Sequence, residues 1–138
     1  MMVMESLWPR LDDVTRNVPF KILREQADLF NGQMQGVLRC DVEKHEYIQK
    51  NVLVTRTYDY EADMFITSSA LPGYRLSLLE VYFSIAKAYP CEVCNCLNDM
   101  LLNDTANNSD EFKNILRKIF NSKETISALE NIAAQSQL

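Results

Sequence analysis

Apolar and polar positions alternate along this chain with two different periods, and the switches between them outline its elements. Asn17 is a good helix N-cap, and Pro19 is tolerated in a first turn. Leu23, Ala27, Phe30 and Met34 then recur at helical spacing, with Ile22 and Leu29 beside the stripe. Lys21, Arg24, Glu25 and Asp28 take the wetter side, and Gly32 marks the expected C-terminal boundary. The pattern predicts an amphipathic helix of about three to four turns. The period then drops to two. Leu38, Cys40 and Val42 alternate with Arg39, Asp41 and Glu43, as in a half-buried strand. VLVTRTYDY (52–60) and MFITSS (64–69) are rich in β-branched and aromatic residues, and Pro72-Gly73 supplies a turn.

Residues 74–89 satisfy both periods. Leu76, Leu79, Phe83 and Ala86 fit a helix, whereas Leu79, Val81, Phe83 and Ile85 fit one face of a strand. Pro90 stops any helix from running on. Residues 98–109, rich in Asn and Asp, read as a flexible linker. Phe112, Ile115, Leu116, Ile119 and Phe120 then define an amphipathic helix capped by Ser109 or Asn108. Asn121-Ser122 breaks it, and Glu124 stands where a capping box begun at Asn121 would place it. A last helix buries Ile126, Leu129 and Ile132 or Ala133, and the short break predicts a helical hairpin or an angled corner. Residues 1–16, with Leu7, Trp8, Leu11 and Val14 as anchors, read as an N-terminal arm or short helix laid over the core. Residues 1–138 thus form one domain of ordinary size.

Composition narrows the function. A hydrophobic share of 47% and a charged share of 24% are globular values, so wholesale disorder is not expected. Fourteen Lys and Arg against nineteen Asp and Glu give a formal charge of −5, which disfavours nucleic acid and anionic membranes as partners. Solubility is the plain reading of the acidity, and a basic protein partner is the sharper one. The opening MMVMESLWPR lacks the basic and apolar regions of a secretory signal, and no run approaches the roughly 18 apolar residues of a membrane span. A soluble, cytoplasmic chain with reduced thiols is expected.

Three stretches carry a resemblance: VPFKILREQADLF, FITSSALPGYRLSLLEVYFSIAKAYPCEV and FKNILRKIFNSKETISAL. They resemble a family of small uncharacterised bacterial proteins that open with a P-x-x-I-L-x-E-Q helix and close with an F-x-x-x-L-x-x-I-F-x-S-x-x-T helical pair. The likeness covers roughly residues 18–135 and implies an organisation of helix, antiparallel meander and two helices, with no activity attached. It favours the strand reading of Tyr74–Ile85. The chain departs from the family in a longer segment 44–60 and in its cysteines, which stand where aliphatic residues are more usual.

YPCEVCNC (89–96) holds three of the four cysteines. With Cys40, the residues Cys91, Cys94 and Cys96 are the candidate zinc ligands, since C-x-x-C spacing suits a tetrahedral site. An extended strand, however, turns Cys94 and Cys96 to one face and Cys91 and Val93 to the other, so structural thiols are the better expectation and no metal or cofactor is assigned. Asp59, Glu61 and Asp63 in DYEAD lie on one side of an extended segment without EF-hand spacing, which reads as a charged strand edge. His45 is the single imidazole, so no catalytic residue is assigned. Arg56, Tyr58, Tyr60 and Arg75 are candidates for stacking a base or nucleotide ring.

The expected fold is α+β: an N-terminal helix, an antiparallel meander sheet of four or five strands, and two C-terminal helices on one sheet face. The expected function is non-enzymatic binding of a macromolecular, protein partner, as an adaptor, inhibitor or immunity-like protein of bacterial or phage origin. The alternative is a small-ligand or nucleotide-binding module, for which a homo-oligomer is allowed.

Overall fold

A computed structural model describes residues 4–9, 17–34, 36–47, 57–98 and 103–137. Helix α1 (Pro19–Met34) leads into a five-stranded antiparallel sheet of β1 (Leu38–Glu46), β2 (Tyr60–Ser68), β3 (Arg75–Phe83), β4 (Cys91–Asn95) and β5 (Asp104–Ala106). Helices α2 (Ser109–Phe120) and α3 (Lys123–Gln135) close the chain. The strands pair in sequence order, β1-β2-β3-β4-β5, as an uninterrupted meander. The α+β arrangement expected from sequence is therefore present, with five strands and three helices among the described residues.

Strand alternation divides the residues between two faces. Leu38, Cys40, Ala62, Met64, Ile66, Leu79, Val81, Cys91 and Val93 are buried in one cluster with Ile22, Leu23 and Ala27 of α1 and Phe112, Leu116 and Ile119 of α2. All three helices thus cover the same side. Of residues 74–89, ambiguous by periodicity, Arg75–Phe83 is strand, and the reason is tertiary; Ile85 lies beyond the strand and is 60% exposed. As a central strand between β2 and β4, β3 hydrogen-bonds on both sides and buries Leu79, Val81 and Phe83 beneath the helices. A register shift after Met64 pairs Met64 with Leu79 but Phe65 with Ser77. Leu78 is the extra residue of that bulge, and it is buried in the same cluster.

Local chemistry fixes the connections. Pro72 and Gly73 occupy the centre of a turn in which the Tyr74 amide donates to the Leu71 carbonyl at 3.1 Å. Gly73 has φ +80°, the left-handed value a type II turn demands at that position. Gly36, with φ +125°, and not Gly32 supplies the positive dihedral after α1, so the helix runs past its expected boundary to Met34. The Asn31 side chain of α1 then donates to the Cys40 carbonyl at 2.9 Å and accepts from its amide at 2.7 Å. It satisfies two backbone groups on the outer edge of β1 that would otherwise invite another strand.

Asn108 caps α2 by accepting from the Glu111 amide at 2.9 Å, while Glu111 reaches back to the Asn107 amide at 3.2 Å. Ser122, not Asn121, caps α3 through the Thr125 amide.

Two expectations need correction. The segment 98–109 is not linker throughout, because Asp104–Ala106 pairs with β4 and buries Ala106. A three-residue strand is too short to show a period in sequence. In the N-terminal arm, Met4–Pro9 forms neither helix nor strand, and Leu7 and Trp8 are 94% and 83% exposed. That part of the arm is not laid over the core; residues 10–16 lie outside the described residues. Strand β2 starts only at Tyr60, and residues 52–56 of the expected strand 52–60 lie outside the described residues.

Phe112 is fully buried and meets Tyr89 edge-on at 6.5 Å, whereas Phe120 is only half-buried. Phe112→Ala is expected to cost about 3–5 kcal/mol in urea unfolding, and Phe120→Ala distinctly less. Equal losses would show that the stripe is buried more evenly than this packing has it.

Candidate functional site on the open face of the sheet

Among the described residues no helix lies on the second face of the sheet, and the register sorts that face into rows. One row reads His45, Glu61, Tyr82, Glu92 and Thr105 from β1 to β5; the next reads Glu43, Asp63, Glu80 and Cys94. Neighbouring strands lie about 4.8 Å apart, so the second row sets three carboxylates side by side, an arrangement that repels itself.

Each carboxylate is relieved differently. Arg75 reaches Glu43 Oε2 at 3.2 Å while its guanidinium sits 3.4 Å from the centroid of the Phe65 ring. Asp63 Oδ2 lies 2.7 Å from His45 Nε2. Glu80 accepts from the Tyr82 hydroxyl, and the Cys96 thiol lies 3.9 Å from its other oxygen. Glu61 is 3.9 Å from His45 Nε2 and has the weakest compensation. Burial pushes its carboxyl above the usual range, and the charges of Asp63 and Glu80 push it further, while His45 pulls it back. The ligand atoms of His45, Glu61 and Asp63 all lie within 4.8 Å of one another. Asp63 Oδ1 is shielded from solvent and has no hydrogen-bond partner among the described residues.

The sequence reading did not assemble this group. It took His45 as a solitary imidazole and DYEAD as a charged edge. Strand β2 is paired on both sides, so Glu61 and Asp63 stand on an interior strand. Asp59 leaves the group: it precedes β2, is exposed, and accepts from the Ile85 amide at 3.2 Å. The usable signal was parity, because Glu43 and His45 on one strand and Glu61 and Asp63 on the next each point to one face.

A second polar group sits towards β4. Glu92 is fully buried, and its two carboxylate oxygens accept from the Tyr58 hydroxyl at 3.1 Å and from Asn103 Nδ2 at 3.3 Å. Tyr82 packs between Tyr47 and Tyr58, with ring centroids 4.8 and 6.5 Å away. These contacts close that end of the face into a packed cluster.

The thiols divide as alternation requires. Cys40 and Cys91 are buried in the core on β1 and β4, with two strands between them, while Cys94 and Cys96 belong to the open face. The four sulfurs cannot converge on one ion. Burial pushes the Cys40 and Cys91 thiols up to about 12, and Cys96 is also raised, chiefly by its hydrogen bond with Cys94 and then by burial.

The stacking candidates do not converge either. Tyr58 is buried beside Glu92, Tyr60 stacks on Phe83 at 6.3 Å towards the helix side, and Arg75 lies at the other end of β2 against Phe65. Arg56 lies outside the described residues. An apolar cleft of about 360 Å³ opens between α1 and α3 over Met64 and Leu78 and is lined by no charged side chain. Among the described residues, no helix is long and apolar enough to cross a membrane. No family model matches the chain, and no curated protein or solved structure shows significant similarity to it.

Two outcomes follow from these environments. Native protein treated with iodoacetamide near pH 8 should be modified at Cys40 and Cys91 only on unfolding, since a thiol near 12 is almost entirely protonated there. Peptide mapping that finds either one labelled in folded protein contradicts this burial. Glu61 supplies a pH dependence. Its raised carboxyl contributes stability fully below the unfolded carboxylate range and loses it as pH rises through the raised folded value. In chelator, wild type should therefore lose stability relative to Glu61→Gln as pH climbs from about 4. A pH-independent difference between the two melting curves would dismiss the repulsion.

Proposed function

We propose that this chain is a non-enzymatic binding protein for a macromolecular partner, an adaptor, inhibitor or immunity-like protein, and that its partner is a protein presenting a Lys/Arg-rich surface. The supporting observation is the charge of the open sheet face. Asp41, Glu43, Glu61, Asp63 and Glu80 share it with Arg39 and Arg75, and both guanidiniums are already engaged, with Asp41 at 3.0 Å and Glu43 at 3.2 Å. The uncompensated negative charge favours approach of a cationic surface and sets its register on the sheet.

A non-catalytic role is supported by the state of the reactive groups. The one imidazole is engaged with Asp63, and the buried thiols are held far from the thiolate form. A cytoplasmic setting agrees with four free cysteines. A bacterial or phage origin rests on the resemblance in sequence. The alternative, a small-ligand or nucleotide-binding module, has less support because Tyr58, Tyr60 and Arg75 point to different parts of the molecule.

Zero-length carboxyl-to-amine crosslinking in an extract of the source cells tests the surface. Partner lysines should join to Asp41 or Glu43, and Asp41→Lys with Glu43→Lys should weaken capture about tenfold, near 1.4 kcal/mol. Crosslinks confined to Asp28, Asp110 or Glu130 on the helices would place the partner elsewhere and refute the proposal.

A further inference from the structure

We propose that His45, Glu61 and Asp63 form a binding site for one divalent transition-metal ion, zinc by preference. The inference concerns the chain alone and does not rest on the partner reading. Strand register builds the site: His45 on β1 stands directly opposite Glu61 on β2, and Asp63 is the next residue of β2 on the same face. Ligands carried on paired strands are held more precisely than ligands on a loop. His45 Nε2 is 2.7 Å from Asp63 Oδ2 and 3.9 Å from Glu61 Oε1. Zinc holds nitrogen and oxygen donors at about 2.0–2.2 Å, which spaces tetrahedral donors roughly 3–4 Å apart, so small side-chain rotations seat the ion.

The electrostatics ask for a cation at this point. Asp63 stands between Glu43 and Glu80 in its row, with Glu61 two residues away on its own strand. One imidazolium cannot neutralise Glu61 and Asp63 together. Asp63 Oδ1 is out of solvent without a hydrogen-bond partner among the described residues, a cost that a bound cation offsets. His45 is 44% exposed, so the ion has an entry path and an open coordination position for water. The donor set selects the metal. Calcium takes six to eight oxygens, and magnesium keeps a near-octahedral shell of oxygens and waters, whereas one imidazole with two carboxylates suits zinc.

Calorimetric titration of the purified chain with Zn²⁺ tests the site. Wild type should bind one ion per chain. His45→Gln and Asp63→Asn should each weaken binding roughly tenfold or more, and Glu130→Gln, on α3 away from the site, should bind as wild type does. Circular dichroism checks that each variant is folded. Should Asp63→Asn unfold, the wild-type chain still decides, because its only histidine gives an unambiguous ¹⁵N signal that must shift at Nε2 with zinc. Co²⁺ should give weak visible bands without intense near-ultraviolet thiolate absorption. Failure to bind, binding unchanged in His45→Gln, or a strong thiolate band that moves the ion to Cys94 and Cys96 would each overturn the proposal.

Discussion

A meander sheet covered on one side leaves alternate residues of every strand facing away from the core, and the whole molecule is arranged around that division. Met64 and Ile66 go under the helices while Asp63 and Phe65 go to the open face, and the same parity runs through β1, β3 and β4. A register slip of one residue would bury the carboxylates and expose the core, which is why the pairing is so strongly specified. The hydrophobic term therefore fixes more than stability. It decides which acidic side chains become neighbours across strands.

That division explains which parts were legible in sequence. Helices α2 and α3 could be read because five apolar positions in α2 repeat at the helical period and Asn108 and Ser122 cap the two starts. The separation of Cys91 from Cys94 could be read because it depends only on alternation within one strand. The group of His45, Glu61 and Asp63 depends instead on strand order and on a pairing between residues 16 to 18 positions apart. No local period encodes that. DYEAD looked like an edge because charge is common on edges, yet its position was set by β1 and β3 pairing to either side of it. Gly32 misled for a related reason. With Asn31 hydrogen-bonded to Cys40 of β1, α1 tolerates an interior glycine, and the positive dihedral falls at Gly36.

The open face itself divides into two regimes. At Glu92 a buried carboxylate has partners on both oxygens and lies in a row with Tyr82, whose ring is clasped by two tyrosines. Desolvation of Glu92 is met by hydrogen bonds within the fold, while the Tyr47 hydroxyl and Asn103 Oδ1 beside it are shielded from solvent with no hydrogen-bond partner among the described residues. Around Asp63 the carboxylates outnumber their counter-charges: Arg75 is spent on Glu43, His45 on Asp63 and the Tyr82 hydroxyl on Glu80, which leaves Glu61 the least compensated. The first region stiffens the sheet, and the second stores unfavourable electrostatic energy.

Stored repulsion of this kind is informative because the fold does not need it. Each strand of the meander would pair as well with threonine or glutamine at positions 61 and 63, and the core would be unchanged, since neither side chain contributes to it. The cost of the two charges falls on the folded chain alone and is returned only when a positive charge arrives. An ion seated between His45, Glu61 and Asp63 returns it at one point; a cationic protein surface returns it over the wider row from Asp41 to Glu80. The two charges act at different depths, since Asp41 and Glu43 are the more exposed members and Glu61 and Asp63 the less exposed. The proposed ion would occupy the inner group, and the proposed partner would meet Asp41 and Glu43, whose pairs with Arg39 and Arg75 lie at the surface.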